Sequence, residues 1–167
     1  MKAATKPPKP DIVTSGVKRE PGRIPSSDNG LMAFTWHSRI RVVDTDVSTR
    51  IHYSALFRHV EAAETEFLRS LGLEYSRWFK MGFSLPRIHV EADYLAPLNF
   101  DDEIDTEVSV ERIGDSSLTL GFRVVKTATG ELGARGQLVG VCMDIQSGKS
   151  TPIPPVIRQA LERVQAG

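Results

Sequence analysis

Residues 42–71 read Val-Val-Asp-Thr-Asp-Val-Ser-Thr-Arg-Ile-His-Tyr-Ser and continue Ala-Leu-Phe-Arg-His-Val-Glu-Ala-Ala-Glu-Thr-Glu-Phe-Leu-Arg-Ser-Leu. From Ala55 to Leu71 the apolar residues recur at three- and four-residue spacing, which predicts an amphipathic helix with one buried face. Gly72 is a suitable residue just beyond its end, and Ser54 is the expected N-cap. The stretch therefore joins the end of an apolar strand, an acidic turn and the N-terminus of a long helix.

The acidic turn places Asp46 next to that N-terminus. This arrangement suits acyl transfer, because free backbone N–H groups of a helix N-terminus polarise a carbonyl while the carboxylate works on it. Asp46 acts in this interpretation as a nucleophile or as a general base on a water molecule. The competing interpretation is local: Asp46 closes an Asx-turn before the helix. Asp44 is expected to stabilise the turn or to pair with Arg41 or Arg50.

Alternating apolar residues follow the helix and precede it, which predicts an α+β domain with one antiparallel sheet on one long helix. The expected strands are 33–43, 84–98, 104–111, 118–124 and 131–145, with short helices at 74–81 and 155–164. In the first strand Phe34, Trp36, Ile40 and Val42 share one side, and in the second Ile88, Val90 and Tyr94 do so. Open sheet edges favour a homodimer or a homotetramer.

Composition excludes several classes of function. Lys plus Arg and Asp plus Glu are both 21, so the chain has no net positive charge to attract nucleic acid or an anionic membrane. No apolar run is long enough to span a bilayer. The single cysteine, Cys142, fits a reducing, cytoplasmic location and is expected in the core. The Pro-rich segment 1–31 is expected to be a disordered or loosely attached arm, with one domain over 32–167.

The ordered set of motifs resembles the hotdog-fold acyl-CoA thioesterases of the 4-hydroxybenzoyl-CoA thioesterase superfamily, including the Tol-Pal-associated thioesterases. The matching stretches cover about 36–145. They are Asp44-Thr-Asp46, Ile51-His-Tyr-Ser, Glu61-Ala-Ala-Glu-Thr-Glu-Phe-Leu-Arg69 and Tyr94-Leu-Ala-Pro-Leu-Asn-Phe-Asp-Asp-Glu-Ile104. The resemblance implies a central helix wrapped by a five-stranded antiparallel sheet, and hydrolysis of an acyl-CoA or acyl-carrier thioester.

The resemblance also assigns roles. The second aspartate of the family's Asp-x-Asp turn is catalytic and falls on Asp46, and the polarising backbone N–H falls on Tyr53. The family usually has glycine where this chain has Thr49, and an aromatic residue or valine at the positions of Arg50 and His52.

Other polar residues are weaker candidates. His52 could orient a water molecule or hydrogen-bond Asp46, although lone histidines are more often structural. Glu61 and Glu64 lie beside the apolar stripe of the helix, and a solvated or salt-bridged position is expected for them. Arg87 and Arg112 are candidates for the phosphates of coenzyme A. The scattered histidines indicate no metal, and the sequence indicates no cofactor. Two other functions remain open: a non-catalytic module that binds an acyl thioester or a protein, and a hydratase or dehydratase.

Overall fold

The computed structural model describes residues 33–165. Its strands are β1 (Ala33–Arg39), β2 (Phe83–Ser84), β3 (Arg87–Tyr94), β4 (Glu103–Ile113), β5 (Ser117–Lys126), β6 (Leu132–Val141) and β7 (Met143–Asp144). Its α-helices are α1 (Leu56–Ser70), α2 (Tyr75–Lys80) and α3 (Pro155–Gln165), and a 3₁₀ turn spans Val42–Asp44. The prediction for residues 1–31 lies outside the described residues.

The five long strands form one antiparallel sheet in the order β1-β4-β5-β6-β3, and β2 pairs with β7 separately. One row across the sheet shows the register: Trp36 pairs with Thr106, Thr106 with Val124, Val124 with Ala134 and Ala134 with Tyr94. The α+β architecture with a five-stranded antiparallel sheet around one long helix is thereby confirmed.

Helix α1 forms where the apolar spacing predicts it. Leu56, Val60, Ala63 and Phe67 are at most 3% exposed and pack against the inner face of the sheet. Gly72 follows the helix with a φ of +68°, in the left-handed region that glycine tolerates best. The predicted N-cap is wrong, because Ala55 occupies that position without any side-chain cap bond.

Strand β1 ends four residues earlier than predicted. The backbone turns at Arg41, whose N–H donates to the Asp44 carboxylate (2.9 Å), and the 3₁₀ turn follows. Val42 is consequently 72% exposed and does not belong to the buried side of the strand.

The strand predicted over 131–145 is interrupted as well. Strand β6 ends at Val141, and β7 then pairs with β2 instead of the main sheet. Cys142, between them, is a free thiol with 0% exposure, so its predicted place in the core is confirmed.

Strand β3 differs most from the expectation of one buried face. Ile88, Val90 and Tyr94 are 65%, 47% and 47% exposed. The reason is the strand order: β3 is an edge strand, and α1 contacts β1 and β4, which lie at the other edge of the sheet. The half of the sheet that carries β6 and β3 is therefore less covered by the helix.

Candidate active site

The acidic turn is a short hairpin, residues 44–52, which we call the Asp46 hairpin. Its backbone is closed by bonds from His52 N–H to Asp44 O (2.8 Å) and from Asp46 N–H to Arg50 O (3.0 Å). Thr49 N–H donates to Asp46 O (3.0 Å), so the chain reverses within four residues. Thr49 has a φ of +63°, which is unfavourable for a β-branched residue and ordinary for glycine. The position at which the related family usually has glycine is thus one that requires a left-handed backbone.

The Asp46 carboxylate lies at the tip of this hairpin and is exposed to solvent. Its Oδ1 accepts from Ser48 N–H (2.7 Å) and from Ser48 Oγ (2.6 Å). These two bonds, above all the one from the hydroxyl, lower the pKa of Asp46 below its usual value. Oδ2 has no hydrogen-bond partner within residues 33–165. The Asx-turn expected by the local interpretation is present, and one ionised oxygen remains free.

The backbone before α1 supplies a donor close to this hairpin in sequence. The N–H of Tyr53 donates to no acceptor in the described part of the chain, and the Tyr53 side chain is 69% exposed. The carbonyl of Tyr53 is fixed by a hydrogen bond from the Tyr94 hydroxyl on β3. The peptide that carries the Tyr53 N–H is held through its own carbonyl, because His52 O accepts from Ala55 N–H (2.8 Å). A free N–H on a fixed peptide is what a developing oxyanion needs.

His52 is oriented within its own segment. Its Nδ1 lies 2.8 Å from Ser54 Oγ, and its ring centroid lies 4.4 Å from that of Tyr53. The ring is near enough to Asp46 to contribute to the lowered pKa of that carboxyl. The structure gives His52 a packing role beside the turn, and its catalytic role stays a prediction.

Asp44 anchors the other end of the hairpin. It is fully buried, and its carboxylate accepts from Arg58 (2.9 Å) and from Arg41 Nε (3.3 Å). Hydrogen bonds from Arg41 and Arg58 oppose the effect of burial and lower its pKa. His59 Nε2 lies 3.5 Å from the same carboxylate, and its Nδ1 lies 3.0 Å from Ser38 Oγ. The predicted pairing of Asp44 with Arg41 is confirmed.

A cleft of about 560 Å³ opens beside the N-terminal half of α1. It lies between the helix and the less covered half of the sheet. Its lining residues are Ser54, Phe57, Glu61, Glu64, Tyr75, Leu85, Arg87, Val90 and Leu138. Ser54, which directly follows Tyr53 in the chain, lines the cleft, whereas Tyr53 and Asp46 are not among its lining residues.

Comparison with known proteins identifies the family. The Thioesterase-like superfamily model matches residues 40–161, which is most of the chain. The chain belongs to the Thioesterase-like superfamily.

Individual relatives agree with this assignment. A 1,4-dihydroxy-2-naphthoyl-CoA hydrolase of Synechococcus sp. (strain CC9605) is 28% identical over 134 residues, which cover 77% of this chain and 89% of the relative. The crystal structure of a hypothetical protein from Aquifex aeolicus is 27% identical with a TM-score of 0.72, covering 77% and 98% of the two chains. The structure of a gentisyl-coenzyme A thioesterase is 25% identical with a TM-score of 0.67, covering 74% and 98%. The hotdog fold of this thioesterase-like protein is thereby confirmed.

Sequence reasoning missed a buried cluster in the cleft of this thioesterase-like protein. Glu64, only 2% exposed, accepts hydrogen bonds from Arg87 and from the Tyr75 hydroxyl (2.9 Å). Arg87 also donates to Leu85 O (2.6 Å) and to the Tyr75 oxygen (2.6 Å). The salt-bridged position expected for Glu64 is confirmed. The available signal was a charged residue at a position that the helical period places beside the buried stripe.

The two arginines predicted to meet phosphates have different surroundings. The Arg87 side chain is 25% exposed, and its guanidinium already serves Glu64 and Tyr75. Arg112 is exposed and has no ion-pair partner within residues 33–165. It lies eight residues along β4 from Ile104, roughly 26 Å by strand rise. Ile104 packs in the same cluster as Ile51 of the Asp46 hairpin, so Arg112 is remote from that hairpin within one protomer.

No helix within the described residues is long and apolar enough to cross a membrane.

Proposed function

We propose that this protein hydrolyses an acyl-CoA thioester to the free acid and coenzyme A. The observation that carries the proposal is the free Oδ2 of Asp46 in the hairpin just before α1, together with the free N–H of Tyr53. Membership of the Thioesterase-like superfamily supports the reaction type. Relatives named as hydrolases or thioesterases of aromatic CoA esters support coenzyme A over a carrier protein as the thiol.

The reaction follows one of two routes at these groups. In the first, Asp46 Oδ2 attacks the carbonyl carbon of the thioester, and the Tyr53 N–H donates to the oxyanion that forms. Coenzyme A then departs as the thiolate, and water hydrolyses the acyl-aspartyl anhydride that remains on the enzyme. In the second, Asp46 takes a proton from a water molecule, whose oxygen attacks the carbonyl, and the proton passes to the leaving thiolate. The lowered pKa of Asp46 keeps its carboxylate ionised, as both routes require. Single turnover in H₂¹⁸O distinguishes them, because only the anhydride route can place ¹⁸O in Asp46.

The decisive experiment compares Asp46→Asn with Ser48→Ala. The asparagine side chain retains an oxygen that accepts from Ser48, so Asp46→Asn preserves the Asx-turn and removes the charge. We expect kcat/KM for a good acyl-CoA to fall by at least about 10²-fold. Ser48→Ala removes the hydroxyl bond and keeps the carboxylate, so activity should stay within a few-fold.

The opposite pattern, with activity kept in Asp46→Asn and lost in Ser48→Ala, would assign Asp46 a purely structural role. Firm acyl-CoA binding without hydrolysis in the wild type would instead favour a non-catalytic binding module. The Asx-turn, which gives Asp46 a sufficient structural reason to be there, is the observation that supports this second candidate.

The open edge of the sheet supports a homodimer. The edge strand β3 presents unpaired backbone along one side and the exposed Ile88 and Val90, and Val47 at the hairpin tip is fully exposed. Such an edge is a template for pairing with a second copy. Val90→Arg should reduce the dimer fraction in sedimentation equilibrium, whereas Val156→Arg on α3, with similar exposure at 46%, should leave it unchanged. A monomeric wild type would contradict this proposal.

Two finer assignments also remain proposals. A cytoplasmic location is supported by the single, free Cys142. Arg112 is exposed and remote from the Asp46 hairpin of its own protomer, so it would bind a phosphate only at the site of a second copy, and Arg112→Gln should then raise KM without changing kcat.

A further inference from the structure

A second cavity lies at the base of the Asp46 hairpin, between the end of β1 and α1. Its volume is about 420 Å³, which is within the range of small-molecule sites. Its polar lining residues are Ser38, Arg39, Arg41, Asp44, Arg58 and His59. We call this cavity the arginine pocket, because three of its lining residues carry a guanidinium group.

The arginine pocket is separate from the cleft, although both open beside α1. Glu61 lines the cleft, and His59 lines the arginine pocket. With about 3.6 residues per helical turn, residues two apart differ by roughly 200° around the axis, so these two residues lie on nearly opposite faces of α1. The pocket adjoins β1 at one edge of the sheet, whereas the cleft is lined by Val90 and Leu138 in the half with β6 and β3. The two cavities can therefore be occupied independently.

The wall of the arginine pocket has an excess of positive charge. Arg41 Nε (3.3 Å) and Arg58 Nη2 (2.9 Å) share the carboxylate of Asp44, which is 0% exposed. Arg39 pairs with two carboxylates that do not line the pocket. The side chains of Arg41 and Arg58 are 69% and 52% exposed, and Nη1 of each donates to no acceptor within residues 33–165. Both guanidinium groups thus have donors available for a ligand.

His59 brings a buried donor to the same pocket. Its Nδ1 lies 3.0 Å from Ser38 Oγ, and its Nε2 lies 3.5 Å from the Asp44 carboxylate. A lone pair on Nε2 would face that negative charge, so we assign the ring hydrogen to Nε2 and the accepting role to Nδ1. His59 is only 6% exposed, and its Nε2 has no hydrogen-bond partner among the described residues. Because an unpaired buried polar atom is costly, a ligand that supplies an acceptor there gains affinity.

These donors favour a phosphate group as the ligand. A guanidinium binds phosphate through two parallel N–H groups, and the remaining oxygens of the same phosphate can accept from a further donor. A phosphate ester carries a charge of about −1.5 to −2 at pH 7, which suits a wall with excess positive charge. The same guanidinium groups repel a cation.

We propose that the arginine pocket binds a phosphate group through Arg41, Arg58 and the Nε2 hydrogen of His59. The pocket is a second ligand site, and the inference does not depend on the proposed hydrolysis. Arg58 also donates to Val43 O (3.0 Å), and Asp44 begins the Asp46 hairpin. A phosphate bound to Arg58 therefore holds the base of that hairpin against α1.

Calorimetric titration with inorganic phosphate tests the site, at a constant ionic strength that is maintained with chloride. We expect saturable binding of one phosphate per chain. Arg41→Gln removes the charge and keeps the backbone bond from residue 41 to Asp44, and it should weaken phosphate binding by at least about 10-fold. Arg69→Gln is the matched control, because Arg69 is also ion-paired and about half exposed but does not line the pocket. It should leave phosphate binding within about 2-fold of the wild type.

Two variants of His59 separate a ligand role from a packing role. The amide group of asparagine can take the place of Nδ1 but does not reach the position of Nε2, whereas the amide nitrogen of glutamine does reach it. We expect phosphate to bind about 10-fold more weakly to His59→Asn and within about 3-fold of the wild type to His59→Gln. Undiminished binding in His59→Asn would overturn the role of Nε2. If neither variant folds, Arg41→Gln decides the inference.

Coenzyme A distinguishes free phosphate from a phosphate that belongs to a larger ligand. If the pocket takes the 3′-phosphate of coenzyme A, inorganic phosphate competes with coenzyme A but not with 3′-dephospho-coenzyme A. If phosphate and coenzyme A bind together, the occupant is free phosphate, and either result supports the site. Absence of saturable phosphate binding, or equal affinity in the wild type and Arg41→Gln, overturns the inference and leaves the proposed hydrolysis intact. Unchanged hydrolysis in Asp46→Asn would overturn the proposed mechanism alone.

Discussion

Replacing Thr49 by glycine should stabilise the protein, because Thr49 is a β-branched residue with a φ of +63°. A left-handed backbone costs an L-residue roughly 1–2 kcal/mol, and the cost for a β-branched residue is near the upper end of this range. Glycine removes that cost. It also destabilises the folded state by roughly 0.4–1 kcal/mol, because the unfolded chain gains conformational freedom. The net expectation for Thr49→Gly is a gain of about 1 kcal/mol, or roughly 2–4 °C in Tm.

Urea denaturation followed by the fluorescence of Trp36 and Trp78 measures this difference at one fixed protein concentration, since a dimer makes stability concentration-dependent. Val47→Gly is the matched control, because Val47 lies in the same turn, is fully exposed and is not among the residues with positive φ. It should lose stability by about 0.5–1 kcal/mol. If Thr49→Gly loses as much as Val47→Gly, the backbone at Thr49 is not strained and the reasoning fails.

The other predictions concern the core, the sheet and pH. His59 is buried and its pKa is lowered mainly by burial, so the unfolded chain binds a proton more readily and stability should fall as pH drops below about 6.5. His59→Asn should flatten the slope of unfolding free energy between pH 7 and 5, and an unchanged slope would assign it to other groups. Phe67→Ala should cost about 3–5 kcal/mol in urea denaturation, because Phe67 is 3% exposed between helix and sheet; a loss below 1 kcal/mol would contradict its core position. Gly136→Ala should cost about 1–3 kcal/mol, since its Cβ would lie 2.0 Å from Glu91 O in the neighbouring strand, and crosspeaks of β3 amides in NMR spectra should shift. Gly148→Ala is the control, because Gly148 has a positive φ and open space around it, and this variant should lose only about 1 kcal/mol of stability. Equal losses in the two variants would argue against a clash at Gly136.

Patterns within one element were enough to predict much of this fold. The apolar stripe from Leu56 to Phe67 is a property of one helix, and the hairpin between β4 and β5 is indicated by its own turn residues. The exposure of Val90 was not predictable in this way, because alternation is the same in a central strand and an edge strand. Which strand lies at the edge depends on pairing between distant segments.

The candidate site likewise contains residues that the local sequence predicts and residues that only the folded chain brings together. Asp46 and Tyr53 lie within eight residues, so the local sequence was enough to place both of them in the segment before α1. Glu64 and Arg87 are 23 residues apart, on a helix and on a strand, and only the folded chain shows that they meet. Arg87 was expected to face phosphates because its sequence neighbours gave no sign of that buried carboxylate.

The pairing of β1 with β4 has a consequence for synthesis on the ribosome. Trp36 pairs with Thr106, so the first strand waits for a partner that is made 70 residues later. At roughly 5–20 residues per second, this delay lasts about 4–14 s. Throughout that interval Phe34 and Trp36 belong to a nascent strand without a partner, so chaperones that bind emerging apolar segments have a defined target at the start of this domain.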